Sequence, residues 1–366
     1  MNGNKLRKNR KKTRKVFVRG LPIGGDAPVS IQSMTNLPIE DVGGTVRQIQ
    51  KLSSEGADLV RIAVRNEDSV EYLKRIRKAV DFPLSADVHF NYKIAIGAIK
   101  AGIDKIRINP GNIGSAARVK EILKIAKDHK VPIRIGVNSG SVDMDKFKVL
   151  TPATMVESAL EHIRILEDND FYDIVVSIKS SDVSQTIEAN SIFSEIRDYP
   201  LHLGLTEAGY GISCAVQSSV ALGHMLLNGI GDTIRVSMTG DPVEEIAVSA
   251  GILESVGERR PYLRIISCPT CGRTDASLDI LDIVKKVELE LKGKFGDILR
   301  AKNRHITVAV MGCEVNGPGE ARHADLGVAG GGKGTMMLFS GGQQLGKINA
   351  GEAVPALIKE MESLLG

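Results

Sequence analysis

The sequence predicts an α/β protein, a (β/α)8 TIM barrel followed by a smaller α/β domain. Three observations carry this reading. A unit of short β-branched strand, polar or Gly-rich turn and amphipathic helix recurs eight times between Ser30 and Gly257. The segment Gly257-Glu-Arg-Arg-Pro261 then interrupts the pattern as a linker. Beyond it, two cysteine motifs each follow a further β-branched strand. The chain thus divides into a basic arm and hairpin over 1–28, a barrel over 29–257 and a second domain over 262–366.

Residues 15–20 and 27–32 flank the turn Leu21-Pro-Ile-Gly-Gly-Asp26 and read as a hairpin that plugs one barrel mouth. The barrel strands fall at 29–34, 59–64, 84–89, 105–109, 133–138, 173–179, 201–207 and 233–238. Helical periodicity fills the gaps: in 116–129 the apolar residues Val119, Ile122, Leu123 and Ala126 recur at steps of three and four. Eight such units in about 230 residues match the barrel. No GxGxxG follows the first strand, which weakens the alternative of a doubly wound dinucleotide domain. The second domain reads as strand 263–267, helix 278–292, strands 306–311 and 336–340, and a last helix over 354–365.

Composition narrows the class. Of the 366 residues, 42% are hydrophobic and 25% charged, as in soluble globular chains. No apolar run of 18 residues offers a spanning helix, and the basic N-terminus lacks a signal-peptide core, so the expectation is a cytoplasmic protein with no membrane partner. The nine Lys and Arg between Lys5 and Arg19 read as a solvated, frayed terminus; with Phe17 the one aromatic residue in the run, base stacking has little support and nucleic acid is not the expected partner.

In a (β/α)8 barrel the active site lies at the carboxyl ends of the strands. Those ends offer Gln32 with Asn36, Arg61, Asp87 with His89, Arg107 with Asn109, Arg134 with Asn138, Lys179, Glu207, and Arg235 with Ser237. One Arg at a strand end usually pairs with a neighbouring carboxylate. Five cations against two acids in one mouth repel one another unless an anion neutralises them, and Arg matches phosphate oxygens in a bidentate fork. The expected ligand is a phosphate or diphosphate ester. Asp87 and His89, two residues apart, share a face and suit acid–base work or metal ligation, or form a structural pair. Glu207 is the best isolated acid near the mouth, a candidate proton donor.

Four cysteines are too few for a secreted disulfide scaffold of this length. Ser267-Cys-Pro-Thr-Cys-Gly272 places two thiols three residues apart, and Cys313 follows in Met311-Gly-Cys-Glu-Val-Asn-Gly-Pro-Gly-Glu320. Both turns follow strands and can meet at one end of a small sheet, with Gly312, Gly317 and Gly319 wrapping a bulky group. Three thiolates suit a 4Fe-4S cluster with one non-thiolate position, or a zinc ion completed by His or carboxylate. Glu320 could supply an oxygen ligand. Cys214, in a helical stretch, reads as a packing residue. The zinc alternative would make the chain a barrel transferase or binding protein for a phosphorylated or pterin-like ligand.

These residues resemble a known family, the bacterial 4-hydroxy-3-methylbut-2-enyl diphosphate synthases of the methylerythritol phosphate route to isoprenoids. The matching segments are 29–36, Ala86-Asp-Val-His-Phe90, Arg107-Ile-Asn-Pro-Gly-Asn112, 135–141, Leu205-Thr-Glu-Ala-Gly209, 229–235, 267–273 and Asn316-Gly-Pro-Gly-Glu320. The resemblance implies reductive dehydroxylation and ring opening of a cyclic diphosphate by an oxidoreductase. It implies one 4Fe-4S cluster per chain on Cys268, Cys271, Cys313 and Glu320, with Glu207 as the acid. It also implies ferredoxin or flavodoxin as electron donor, and a homodimer of the short bacterial form. Ile212 and Gln217 depart from it, being neutral where the family pattern has a basic residue at one or both positions.

Overall fold

Period-two alternation decides what each barrel strand buries. The strands of the first unit are β1 (Val16–Val18), β2 (Leu21–Ile23), β3 (Ser30–Met34), β4 (Leu59–Val64), β5 (Leu84–Val88), β6 (Lys105–Ile108), β7 (Ile133–Asn138), β8 (Ile174–Lys179), β9 (His202–Leu203) and β10 (Thr233–Ile234). This computed structural model describes residues 8–89, 91–109 and 115–366. Lys5, Arg7, Phe90, Pro110, Gly111 and Asn112, part of the motifs above, lie outside the described residues. Two units are distinguished, Met1–Arg259 and Arg260–Gly366.

Eight parallel strands run in the order β8-β7-β6-β5-β4-β3-β10-β9, and a parallel bridge between Val176 and Leu201 completes the circuit. Residues such as Val60, Ile62, Ile106, Ile108, Ile133 and Ile135 turn outward and join one apolar core with the surrounding helices. Their alternates point inward. Helices begin on side-chain caps: Asp41, Thr151, Asp182 and Asp241 each accept from a first-turn backbone N–H.

The last two strands are shorter than the sequence suggests. Regular pairing covers two residues in each of β9 and β10, not 201–207 and 233–238. A Cβ on Gly204 would fall 2.5 Å from the Arg235 carbonyl oxygen and 2.6 Å from Lys179 Nζ, so the chain is squeezed past an interior side chain there. It then bends, and Glu207 takes a left-handed φ of 54°.

The hairpin also differs. Its turn is Arg19-Gly20, with φ of 47° and 78°, the two positive values of a primed two-residue turn. Val16 pairs with Ile23, and residues 30–32 belong to the barrel instead. Val18 and Ile23 pack on Leu59, at the amino end of β4, so the mouth that the hairpin covers is the one at the amino ends of the strands.

The basic run is no frayed terminus where it is described. Lys8, Lys11 and Arg14 donate backbone N–H bonds to Leu227, Gly229 and Asp198. Arg14 lies over the rings of Tyr172 and Tyr199, and Lys11 pairs with Glu195. The buried Asp232 carboxylate accepts from Leu201 N (2.9 Å) and Thr13 Oγ (3.0 Å), with Arg10 3.6 Å away.

In the second unit β11 (Leu263–Ser267), β12 (Ile306–Met311) and β13 (Leu326–Gly330) are parallel neighbours, and β14 (Thr335–Ser340) and β15 (Gln343–Asn349) extend the sheet antiparallel. Helix Ile280–Ala301 outruns the expected 278–292 because Ile283, Val287, Leu291, Phe295 and Leu299 prolong a buried stripe through Gly293 and Gly296. That burial outweighs about 1 kcal/mol per glycine. This helix and Ala353–Leu365 share one apolar cluster. Helix Gly317–His323, expected as part of a loop, shares a separate cluster of small residues, including Ala309, Ala321 and Ala329.

Asp232→Ala would leave the Leu201 N–H and the Thr13 hydroxyl without their acceptor and Arg10 without its countercharge, although Arg10 keeps the Gly25 and Ala27 carbonyls. It should lower unfolding free energy by about 3–5 kcal/mol in urea titrations, as expected for breaking a buried ionic network from one side.

Candidate active site

The barrel interior is polar because the inward residues of its strands are. Arg61, Asp87, Arg107, Arg134 and Lys179 all lie there, as the strand ends suggested, and the described interior adds Lys105, His202 and Glu245. Asp87 is the hub. Its carboxylate lies 3.6 Å from Arg61 Nε, 3.3 Å from Arg107 Nη1 and 3.4 Å from His89 Nε2. Arg107 also contacts the His89 ring at 3.0 Å. Burial alone would raise the Asp87 pKa; Arg61, the His89 bond, Arg107 and Arg134 hold it well below the usual carboxylate range. Asp87 is thus the centre of an ion-pair cluster with Arg61 and Arg107, and His89, half exposed, stands at its edge.

Arg61 forks onto the Met34 thioether, with Nη2 2.9 Å from Sδ. Burial pulls its pKa down to about 10, opposed by Asp87. Arg235 is held by both oxygens of Glu245 at 3.1 and 3.3 Å, and Glu245 also accepts from Met238 N at 3.0 Å. Arg134 reaches Ser177 Oγ at 3.3 Å. Burial, then the surrounding cations, push Arg134 and Lys179 well below their ordinary values. Asn109 is buried; Asn138 ends β7 and Ser237 lies past the end of β10, both partly exposed. Glycines make the room: a Cβ on Gly136 would lie 2.9 Å from Arg107 Nε.

Three expectations shift. Gln32 is not at the mouth but deep inside, accepting from Lys105 Nζ at 3.0 Å. Asn36 is exposed and bonds Gln48 and the Gly240 carbonyl. Glu207 stands beyond the strand, exposed, so the second interior acid is Glu245. Lys105 was legible, since it alternates with Arg107. Glu245 was also legible: it sits in the first turn of helix Pro242–Ser255, the turn that follows Arg235 and its strand end.

In the second unit, β11 and β12 pair in register from Leu263↔Ile306 to Ser267↔Val310, so the turns after them emerge together. Gly312 N donates to Cys268 Sγ at 3.1 Å. Backbone N–H groups of Asn316 and Gly317 lower the Cys313 pKa; the Arg273 N–H and then its guanidinium lower that of Cys271. Arg273 acts on both Cys271 and Cys313. The neighbourhood favours thiolates, the form that ligates metal. As they stand, no three His, Cys, Asp or Glu side chains among the described residues close into a metal-ligand set. The glycines mainly serve packing. A Cβ on Gly312 would press Thr274 and Ile280, and one on Gly317 would press Met311 and Ala329. Glu320 is exposed in the short helix rather than in a loop. Cys214 is buried with Sγ 3.4 Å from the Ser237 carbonyl oxygen, and burial raises its pKa.

Residues 13–250 match the GcpE TIM-barrel domain and residues 264–363 the GcpE protein C-terminal domain. The chain belongs to the GcpE family. Its relatives include proteins named 4-hydroxy-3-methylbut-2-en-1-yl diphosphate synthase (flavodoxin). That of Clostridium perfringens is 49% identical over 97% of this chain and 100% of its own length; that of Maridesulfovibrio salexigens is 47% identical over 98% of each. The family is the one the sequence motifs resemble. Among solved structures, a dihydropteroate synthase from Stenotrophomonas maltophilia aligns over 66% of this GcpE chain and 98% of its own, with 15% identity and a TM-score of 0.49.

Gly204→Ala should crowd Lys179 and the Arg235 backbone and lower stability by about 1–3 kcal/mol, the range for overpacking. Gly140, whose Cβ would meet nothing within 4 Å, is the control. Gly140→Ala should fall within about 0.5 kcal/mol of the parent in denaturant unfolding.

Proposed function

We propose that this chain makes 4-hydroxy-3-methylbut-2-enyl diphosphate by reductive dehydroxylation and ring opening of 2-C-methyl-D-erythritol 2,4-cyclodiphosphate, in the methylerythritol phosphate route to isoprenoids. It acts as an iron–sulfur oxidoreductase on a C–O bond, as its relatives' names support. The observation that carries the reading is the barrel interior, where the basic side chains Arg61, Arg107, Arg134, Lys179 and Arg235 meet only the two carboxylates Asp87 and Glu245 among the described residues. A bound diphosphate supplies the missing negative charge. A transferase barrel with structural zinc is not favoured by those names.

In this reading Arg61, Arg107, Arg134, Lys179 and Arg235 grip the diphosphate, and Asp87 fixes Arg61 and Arg107 for it. His89, Asn109, Asn138 and Ser237 orient the remaining oxygens. Two electrons enter the substrate and one of its oxygens leaves as water. Glu207, exposed beyond its strand and held at a left-handed φ, delivers the proton. Cys268, Cys271, Cys313 and Glu320 hold the 4Fe-4S cluster; the N–H groups directed at Cys268 and Cys313 fit thiolate ligands. When bound, such a cluster supplies electrons singly and an open iron for oxygen. Flavodoxin is the donor the relatives' names support, with ferredoxin as the equivalent one-electron carrier. The working form is a homodimer, in the reducing cytoplasm that free thiols require.

Protein purified without air should be brown, carry about four irons per chain and turn over the cyclic diphosphate with a chemical one-electron reductant. A colourless zinc protein without turnover would refute the reading. Cys268→Ser, Cys271→Ser and Cys313→Ser should each lose iron with the barrel still folded, whereas Cys214→Ser should keep it. Ala at Arg61, Arg107, Arg134 or Lys179 should weaken substrate binding by about ten- to a hundredfold with iron unchanged. Glu320→Gln should alter the resting Mössbauer spectrum. Glu207→Gln should leave it intact and slow turnover by about a hundredfold or more; the reverse pattern would exchange the two roles.

A further inference from the structure

Beneath the diphosphate grip the interior continues into a floor with no task in the scheme above. Lys105 and His202 are both wholly buried there. Lys105 donates to the Gln32 side-chain oxygen and has no carboxylate partner among the described residues. Neither ring nitrogen of His202 has a hydrogen-bond partner, nor do the hydroxyls of Ser30, Ser85 and Thr233. By strand register Ser85 is the neighbour of Lys105, and Thr233 stands between His202 and Ser30. The charges that weigh on Lys105 are Arg134 and Arg61; those on His202 are Lys179, Arg134, Lys105 and Arg61. All are cations. The interior carboxylates do not offset them, since Asp87 is engaged with Arg61 and Arg107, and Glu245 with Arg235.

We infer that this floor is a proton acceptor linked to substrate entry: Lys105 and His202 stand neutral in the empty barrel and become cationic beneath the bound diphosphate. A neutral amine still donates to Gln32, and a neutral imidazole avoids adding a further positive charge to a dry, cationic layer. Burial, then the neighbouring cations, lower the pKa of both groups well below ordinary values in the empty barrel. An anion that engages Arg61 and Arg134 lies within reach of the same interactions with opposite sign, and so favours N–H⁺ at both sites. The protons come from solvent; one N–H bond forms at each nitrogen, and nothing is oxidised or reduced.

The inference rests on the proposal that the mouth binds a diphosphate, and one calorimetric experiment separates the two. Each phosphorus of the cyclic diphosphate carries a single ionised oxygen, already deprotonated far below neutral pH, so the ligand contributes no proton of its own. The cluster-loaded full chain is titrated with 2-C-methyl-D-erythritol 2,4-cyclodiphosphate at mildly alkaline pH, in Pipes and in Tris at equal ionic strength. The buffer-dependent heat should show net uptake of about one proton or more per substrate, and affinity should fall as pH rises, by about tenfold per unit for each proton taken up. Lys105→Met and His202→Asn should each reduce the uptake. Binding without buffer-dependent heat in the parent protein overturns the floor's role and leaves the diphosphate reading standing. No binding in either buffer strikes the diphosphate reading itself. Uptake unchanged in both variants assigns the protons elsewhere and also overturns the inference. If neither variant folds, Lys105→Gln and His202→Gln take their place with the same expected loss of uptake, since Lys179 and Arg134 are lowered by the same causes and the parent alone does not separate them from the floor.

Discussion

The barrel is organised around an excess of positive charge in a place that water scarcely reaches. Two like charges 4 Å apart repel by about 4 kcal/mol at an effective dielectric constant of 20. Arg61, Arg107, Arg134 and Arg235 act on one another in this sense, and the fold answers with local devices. Asp87 sits between Arg61 and Arg107, Glu245 locks Arg235 with both oxygens, and the Met34 sulfur takes the remaining fork of Arg61. Gly136 and Gly204 leave open the volume that Arg107 and Lys179 occupy. These arrangements position the cations without neutralising them. Affinity for an anion and reduced stability of the empty barrel are thus one property, and a ligand that binds only the folded form should stabilise it by an amount that grows with the logarithm of its affinity.

The second unit follows a different logic, in which register does the positioning. Because β11 and β12 are parallel neighbours paired residue for residue, the turns that carry Cys268 and Cys313 leave the sheet side by side. Small residues then bring helix Gly317–His323 close onto the sheet, and its first N–H groups face the Cys313 sulfur. The residue choices around the thiols serve strand pairing, close packing and thiolate stability together.

Much of this was legible in the sequence, for identifiable reasons. Strands such as β4 and β7 show alternating Val and Ile over six residues, and their limits were readable to the residue. Where pairing is brief, as in β9 and β10, the apolar pattern runs on past the hydrogen bonds, and pattern alone overestimates the strand. The hairpin was misread because Gly24-Gly25 advertises a turn more loudly than Arg19-Gly20, although the latter makes it. Helix Gly317–His323 was hidden by two glycines and a proline at its start, residues that suit a first turn as well as a loop. At the site, strand-end residues were found by counting from the ends. A count from the strand ends does not reach Lys105 and His202, which open their strands, or Glu245, which enters the interior from a helix.

The N-terminal arm has a consequence for how the chain comes together. Lys8, Lys11 and Arg14 bond to Leu227, Gly229 and Asp198, and Thr13 to Asp232, partners roughly two hundred positions further along. On the ribosome the arm emerges first and must wait until nearly the whole barrel has been made before it can dock. Leu201, at the start of the seventh barrel strand, donates to the same Asp232 carboxylate that receives Thr13. Docking of the first residues and closure of the ring therefore draw on one acceptor. A chain that ends before Asp232 lacks the acceptor for both contacts and leaves the neighbouring sheet edges unpaired, so arm and ring are completed together.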